Sequence, residues 1–178
     1  MAAGPFHPDI PMPSRTPFRL LALSLFAVCT GLLAAGLYLQ HVQGIEPCPM
    51  CIMQRYALAV CGVIGLVAGL HNPRHGGQNG YAALLAVAAL AGGGVAARQS
   101  WIQWYPPAVS ECGPGLEYML ESFPLASSLP MIFRGAGDCS VVDWTFLHLT
   151  IANWSFLVFA AILGGLTAYL LRRKKSGF

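Results

Sequence analysis

Apolar residues are concentrated in four long runs along this chain, at about residues 18–40, 52–70, 81–104 and 151–171. A helix with about 20 mostly apolar residues can cross a bilayer core of roughly 30 Å. Each run is long enough for such a crossing. The pattern therefore predicts an all-α membrane protein, built as a bundle of four transmembrane helices.

The segments between and beside the runs are polar or rich in proline. We expect residues 1–17 to form a disordered leader, residues 18–171 a single transmembrane domain, and residues 172–178 a basic tail. Loops at about 41–51 and 105–150 then lie on one side of the bundle. In the longer loop, apolar residues recur at helical spacing with acidic residues on another face, which predicts a short helix on the membrane surface or against the bundle. These apolar residues are Leu116, Met119, Leu120 and Phe123.

Composition supports the membrane interpretation. The chain is 56% hydrophobic and only 10% charged, whereas charged residues make up roughly a quarter of a soluble domain. The first run is too long for the apolar core of a secretory signal. Glycines within the runs, at Gly65-x-x-x-Gly69 and at Gly92 to Gly94, either pack helices closely or are simply tolerated there.

Basic residues indicate how the helices are oriented. They lie before or at the start of the first run, between the second and third, and after the fourth, at Arg15, Arg19, Arg74, Arg172, Arg173, Lys174 and Lys175. Because cytoplasmic loops are enriched in Lys and Arg, both termini are predicted to be cytoplasmic and the two loops periplasmic. Orientation accounts for the basic tail, so no nucleic-acid partner is expected.

The six cysteines separate into two groups once this topology is drawn. Cys29 and Cys61 lie within spans, whereas Cys48, Cys51, Cys112 and Cys139 belong to the two periplasmic loops. A free cysteine within a span behaves as a small hydrophobic residue. The four loop cysteines face an oxidising compartment, where disulfides form and persist.

Cys48 and Cys51 form a Cys-x-x-Cys pair at the start of the second span. The strand-helix-strand pattern of a thioredoxin fold is absent around them, and Ile52 stands where a c-type haem site needs histidine. Zinc, the less favoured alternative, needs four ligands, and a purely structural disulfide framework also stays open. A bridge across so short a loop adds little stability, however, so the pair favours redox chemistry.

Arg55 follows Cys51 by four residues, which places the two on the same helix face one turn apart. A helix N-terminus and a neighbouring cation both stabilise a cysteine thiolate. An ionisable residue just inside the membrane boundary is a candidate functional residue. The alternative is an interfacial arginine that only extends its charge to water.

Together these features resemble the DsbB family of disulfide bond formation proteins, the quinone-linked oxidases of the bacterial inner membrane. The resemblance extends over almost the whole chain. It is carried by the four spans and by Pro47-Cys-x-x-Cys-x-x-x-Arg55, Gln103-Trp-Tyr-Pro106, Cys112, Gly137-Asp-Cys139 and Trp144-x-Phe-Leu147.

The resemblance implies a protein dithiol:quinone oxidoreductase. Its partner would be a periplasmic thioredoxin-like oxidase of the DsbA type, which attacks the long-loop disulfide at Cys112. Cys139 would then exchange with Cys48, and Cys51 would face the quinone. We expect mobility of the long loop to let Cys139 reach either Cys112 or Cys48.

The resemblance also implies the electron acceptor, either ubiquinone or menaquinone from the membrane pool, with Arg55 and Gln103 as contacts. The reduction potential of a DsbA-type couple is about −120 mV, so a nicotinamide acceptor would drive the reaction in the wrong direction. The Gly-x-Gly-x-x-Gly unit of a dinucleotide site is also absent from the sequence. Two alternatives remain, a relative of the vitamin K epoxide reductases and a non-catalytic membrane subunit whose loops are joined by disulfides.

Overall fold

The structure is a computed structural model that describes residues 16–106, 139–140, 142 and 144–176. Its helices are α1 (Thr16–His41), α2 (Pro49–His71), α3 (His75–Trp104) and α4 (Ile151–Ser176). Each is long and apolar enough to cross a membrane. The predicted four-helix membrane fold is therefore confirmed. The leader before residue 16, Cys112 and the predicted surface helix near 116–123 lie outside the described residues.

The helices pack in chain order, α1 against α2, α2 against α3, and α3 against α4. Short turns reverse the chain between the first three, so neighbouring helices run antiparallel. Many outward side chains are large and apolar; Leu20, Leu90 and Leu171 are each more than 60% exposed. Lipid rather than water suits such a surface, so the chain is a multi-pass membrane protein.

Small residues set the closest approaches between helices. A Cβ atom at Gly65 would lie 2.9 Å from the carbonyl oxygen of Ala22, and one at Gly92 would collide with the Phe159 ring. Gly94, in contrast, faces open space. Of the two interpretations of these glycines, close packing therefore holds at Gly65 and Gly92, whereas Gly94 is only tolerated.

The end of the bundle that joins α2 to α3 is closed by backbone and side-chain hydrogen bonds. Asn72 adopts a left-handed conformation and donates its backbone N–H to Ala68, which ends α2. Gln78 donates from Nε2 to the Pro73 carbonyl oxygen over 3.0 Å and accepts from the Tyr169 hydroxyl. These bonds hold the polar start of α3, which begins at His75, earlier than the apolar run indicates.

A short hairpin precedes α4 at the opposite end. Strands β1 (Thr145–Phe146) and β2 (Leu149–Thr150) pair antiparallel, and both turn residues, Leu147 and His148, have positive φ angles. Such a two-residue turn matches the twist of paired strands. Trp154 donates from Nε1 to the Phe146 carbonyl oxygen, so the hairpin is fixed against the first turn of α4.

Replacing Gly92 by alanine should test this packing. The added methyl group meets Phe159 and Ala57, so we expect a loss of about 1–3 kcal/mol of stability from overpacking. Gly94→Ala, in the same helix, should be neutral or slightly stabilising because nothing lies within 4 Å of its Cβ position. Thermal unfolding in detergent compares the two variants, and equal midpoints would contradict the packing assignment.

Candidate active site

Cys48 and Cys51 occupy the N-terminus of α2. Cys48 is the N-cap residue, Pro49 starts the helix, and the Cys51 backbone N–H donates to the Cys48 sulfur over 3.3 Å. Proline suits this first position because its missing N–H is not needed there. Both cysteines are free thiols, with sulfurs 2.8 Å apart. The local sequence thus brings the two sulfurs together within one helical turn.

Cys139 lies against this pair although it is far away in sequence. It is 1% exposed and packs in one buried cluster with Cys48 and Met50. Hydrogen bonds to the thiols of Cys139 and Cys51, together with burial, raise the pKa of Cys48 above its usual range. The sulfurs therefore follow one another in the order Cys139, Cys48, Cys51.

A pair of buried glutamines completes the surroundings of the sulfurs. Gln99 of α3 donates from Nε2 to the Cys48 sulfur over 3.3 Å and to the Cys51 sulfur over 3.2 Å. Gln54 of α2 donates from Nε2 to Gln99 Oε1 over 2.6 Å. Neither glutamine is a predicted site residue. Their only sequence signal is an amide within an apolar span, where polar groups usually serve packing or function.

Arg55 lies near the sulfurs but bonds to α1. Its guanidinium donates to the Gln40 side chain and, over 3.0 Å, to the carbonyl oxygen of Gly36. The predicted one-turn spacing from Cys51 is present, and both residues line the same cavity. The arginine therefore joins α1 to α2 while it contributes positive charge to the cavity wall.

The cavity beside Cys51 has a volume of about 340 Å³ and lies between α1 and α4 under the hairpin. A second cavity, of about 360 Å³, continues between the same two helices, and Val158 lines both. Gln103 faces the first cavity and accepts a hydrogen bond from Thr150 over 2.7 Å. An apolar site with a few polar groups is typical for small organic ligands.

The predicted site residues thus fall into three sets. The structure brings Cys48, Cys51 and Cys139 into contact, and it places Arg55 and Gln103 on the wall of the adjoining cavity. Cys112 lies outside the described residues.

Comparison with known proteins identifies the family. The family model described as "Disulfide bond formation protein DsbB" matches residues 18–169. The chain belongs to the DsbB family. The match includes the first three predicted spans, the fourth as far as residue 169, and every predicted site residue. The family resemblance drawn from the sequence is therefore confirmed.

Individual DsbB relatives are similar over most of their length. "Disulfide bond formation protein B" from Azoarcus sp. (strain BH72) is 71% identical over 143 residues, covering 80% of this chain and 86% of that protein. The protein with this name from Aromatoleum aromaticum is 60% identical over 159 residues, covering 89% and 95%. That from Polaromonas naphthalenivorans is 54% identical over 155 residues, covering 87% and 90%.

The contact between Cys139 and Cys48 should be testable by oxidative crosslinking. In the Cys51→Ser, Cys112→Ser variant, mild copper-phenanthroline oxidation should join Cys48 to Cys139, detected as a linked peptide by mass spectrometry. Moving the thiol by one residue, with Cys139→Ser and Ser140→Cys, should slow the reaction about tenfold because disulfide geometry is specific. Equal rates for the two positions would contradict the contact.

Proposed function

We propose that this DsbB family protein is a protein dithiol:quinone oxidoreductase that reoxidises a DsbA-type oxidase and passes the electrons to a membrane quinone. The observation that carries the proposal is the line of sulfurs at Cys139, Cys48 and Cys51, with Cys51 at an apolar cavity. Thiol-disulfide exchange proceeds between adjacent sulfurs. The sulfurs therefore form a route from the periplasmic loop to the cavity.

The first exchange takes place in the long loop. A thiolate of the partner attacks Cys112 of a Cys112–Cys139 disulfide, and the Cys139 sulfur leaves with the bonding electron pair. The second thiol of the partner then releases Cys112, and the partner departs with its own disulfide. Two thiols of the partner have been oxidised and one loop disulfide reduced.

The second exchange takes place between the loops. The Cys139 thiolate attacks Cys48 in a Cys48–Cys51 disulfide, so the Cys48–Cys139 bond forms and Cys51 leaves as a thiolate. Cys112 then attacks Cys139, which restores the loop disulfide and leaves Cys48 and Cys51 reduced. The buried contact between Cys139 and Cys48 supports this step because it needs no long-range movement of the attacking sulfur.

The cavity residues fit a quinone. The ring oxygens need a few donors, which Arg55 and Gln103 could supply, and an isoprenoid tail needs the apolar path that runs on between α1 and α4. When bound, a quinone would accept two electrons and two protons. The exposed flank of the path would admit such a carrier from the bilayer, and a potential above that of the DsbA couple makes it a suitable acceptor.

We further propose a location in the bacterial inner membrane with the cysteines on the periplasmic side. Arg19 stands at the start of α1, and four basic residues lie in the last turns of α4, at Arg172, Arg173, Lys174 and Lys175. Both sites are at the end of the bundle opposite the sulfurs. The positive-inside rule makes that end cytoplasmic.

Loss of the Cys51 sulfur should abolish turnover. With the purified protein, a reduced DsbA-type protein and a soluble quinone, we expect Cys51→Ser to reduce quinone no faster than buffer alone, because the inter-loop exchange lacks its leaving sulfur. Cys61→Ala removes a buried thiol that lines neither cavity and should retain activity. Equal quinone reduction by wild type and Cys51→Ser would refute the mechanism, and a wild type without activity would favour the non-catalytic alternative.

Replacement of Gln103 should weaken quinone binding more than catalysis. Gln103→Met retains the side-chain length but loses the amide, so KM for quinone should rise about fivefold, as expected for one hydrogen bond, while kcat changes less. Gln78→Met, a buried glutamine at the far end of α3, serves as the control. An unchanged KM in the Gln103 variant would show that Gln103 does not bind the quinone and only accepts the hydrogen bond from Thr150.

A further inference from the structure

Burying the Gln99 side chain is unfavourable unless both ends of its amide make hydrogen bonds. The residue is 3% exposed, and a buried amide without partners loses several kilocalories per mole of hydration. Both ends of this amide are occupied. Nε2 donates to the sulfurs of Cys48 and Cys51 over 3.3 and 3.2 Å. Oε1 accepts from Gln54 over 2.6 Å and, over the longer distance of 3.7 Å, from the Cys51 thiol.

Gln54 determines which end of the Gln99 amide faces the sulfurs. Its Nε2 lies 2.6 Å from Gln99 Oε1, so the Gln99 oxygen is held by Gln54 and the NH2 group faces the sulfurs of Cys48 and Cys51. Gln54 is itself 4% exposed, and a hydrogen bond is electrostatically stronger at such burial than in water. The two glutamines therefore form a short, oriented chain of donors that ends at the sulfurs.

Arg55 does not replace this donor. Its guanidinium donates to Gln40 and to the Gly36 carbonyl oxygen, both in α1, and so it is turned toward the neighbouring helix. Gln99 supplies a side-chain NH2 group that contacts the sulfurs of both Cys48 and Cys51. An uncharged amide supplies this contact without the large cost of burying a charge.

We propose that Gln99 is a catalytic hydrogen-bond donor that stabilises the thiolate released on Cys51, and that Gln54 is the positioning residue that orients it. This inference rests on the proposed function, because it concerns the sulfur that leaves when Cys139 attacks Cys48. In that step the Cys139–Cys48 bond forms, the Cys48–Cys51 bond breaks, and the electron pair stays on Cys51. The Gln99 NH2 group, 3.2 Å from that sulfur, donates a hydrogen bond to it, and the negative charge stays on Cys51 without a proton transfer.

A donor of this kind must change the reduction potential of the pair. Hydrogen bonds to charged groups are stronger than those to neutral ones, so Gln99 stabilises the reduced form more than the disulfide. A stabilised reduced form makes a dithiol couple more oxidising. Removing the donor should therefore make the Cys48–Cys51 couple less oxidising.

The test measures this potential in the full-length protein, purified in detergent and depleted of quinone. Cys112→Ser and Cys139→Ser are introduced so that Cys48 and Cys51 are the only cysteines left in the two loops. The protein is equilibrated in dithiothreitol redox buffers, and the reduced fraction of this pair is measured by alkylation and mass spectrometry. We expect Gln99→Met to lower the equilibrium constant for oxidation of dithiothreitol by the pair about tenfold, which is about 30 mV toward negative potential for a two-electron couple. Gln78→Met, in the same helix but remote from the sulfurs, should leave the potential unchanged.

Gln54→Met provides an independent second variant. Gln54 contacts Gln99 through its amide, so the potential should shift in the same direction by a smaller amount, about threefold in the equilibrium constant, as expected for a hydrogen bond between neutral groups. A role in packing alone would lower thermal stability without moving the potential. Potentials equal to that of Gln78→Met in both variants would overturn the proposal. Because no quinone is present, failure of the quinone assay would reject the proposed function without affecting this result.

Discussion

The hydrogen bond from the Cys51 backbone N–H to the Cys48 sulfur is the interaction on which the rest of the site depends. It makes a redox sulfur serve as the cap of α2, a role that serine, threonine, aspartate or asparagine usually performs. The second cysteine then falls within the first turn, so the two sulfurs are held 2.8 Å apart. Other elements bring further components to this point: α3 contributes Gln99, the long loop contributes Cys139, and α1 and α4 contribute much of the cavity wall.

The bundle is tightly packed on three of its four sides. Gly65 and Gly92 allow α1 to approach α2, and α3 to approach α4, closely, whereas cavities separate α1 from α4. A closed bundle would shield Cys51 from any ligand that arrives through the bilayer. The cavity on this side reaches Cys51, and hairpin residues line it on the loop side. In the proposed function, this side is where the quinone enters.

Several predictions depended on local sequence and hold in the structure. The spans follow from length and hydropathy, and the Cys48–Cys51 contact follows from three-residue spacing at a helix start. Other features had no such signal. The hairpin turn at Leu147 and His148 lacks the Asn-Gly pattern that usually marks positive φ angles. For Arg55, helical spacing gave the correct face but could not show that its hydrogen bonds go to α1.

The sequence by itself determined that this is a four-span membrane protein with a close cysteine pair at one helix end, because hydropathy, charge and short spacings act within a single segment. Only the tertiary structure decided that Gln99 and Cys139 meet that pair. Gln99 could have faced lipid or the bundle, since the rotation of α3 about its axis is set by packing against α2 and α4 rather than by its weakly patterned apolar sequence. Cys139 is brought to Cys48 through burial in a common cluster, a contact between distant segments that spacing along the chain does not encode.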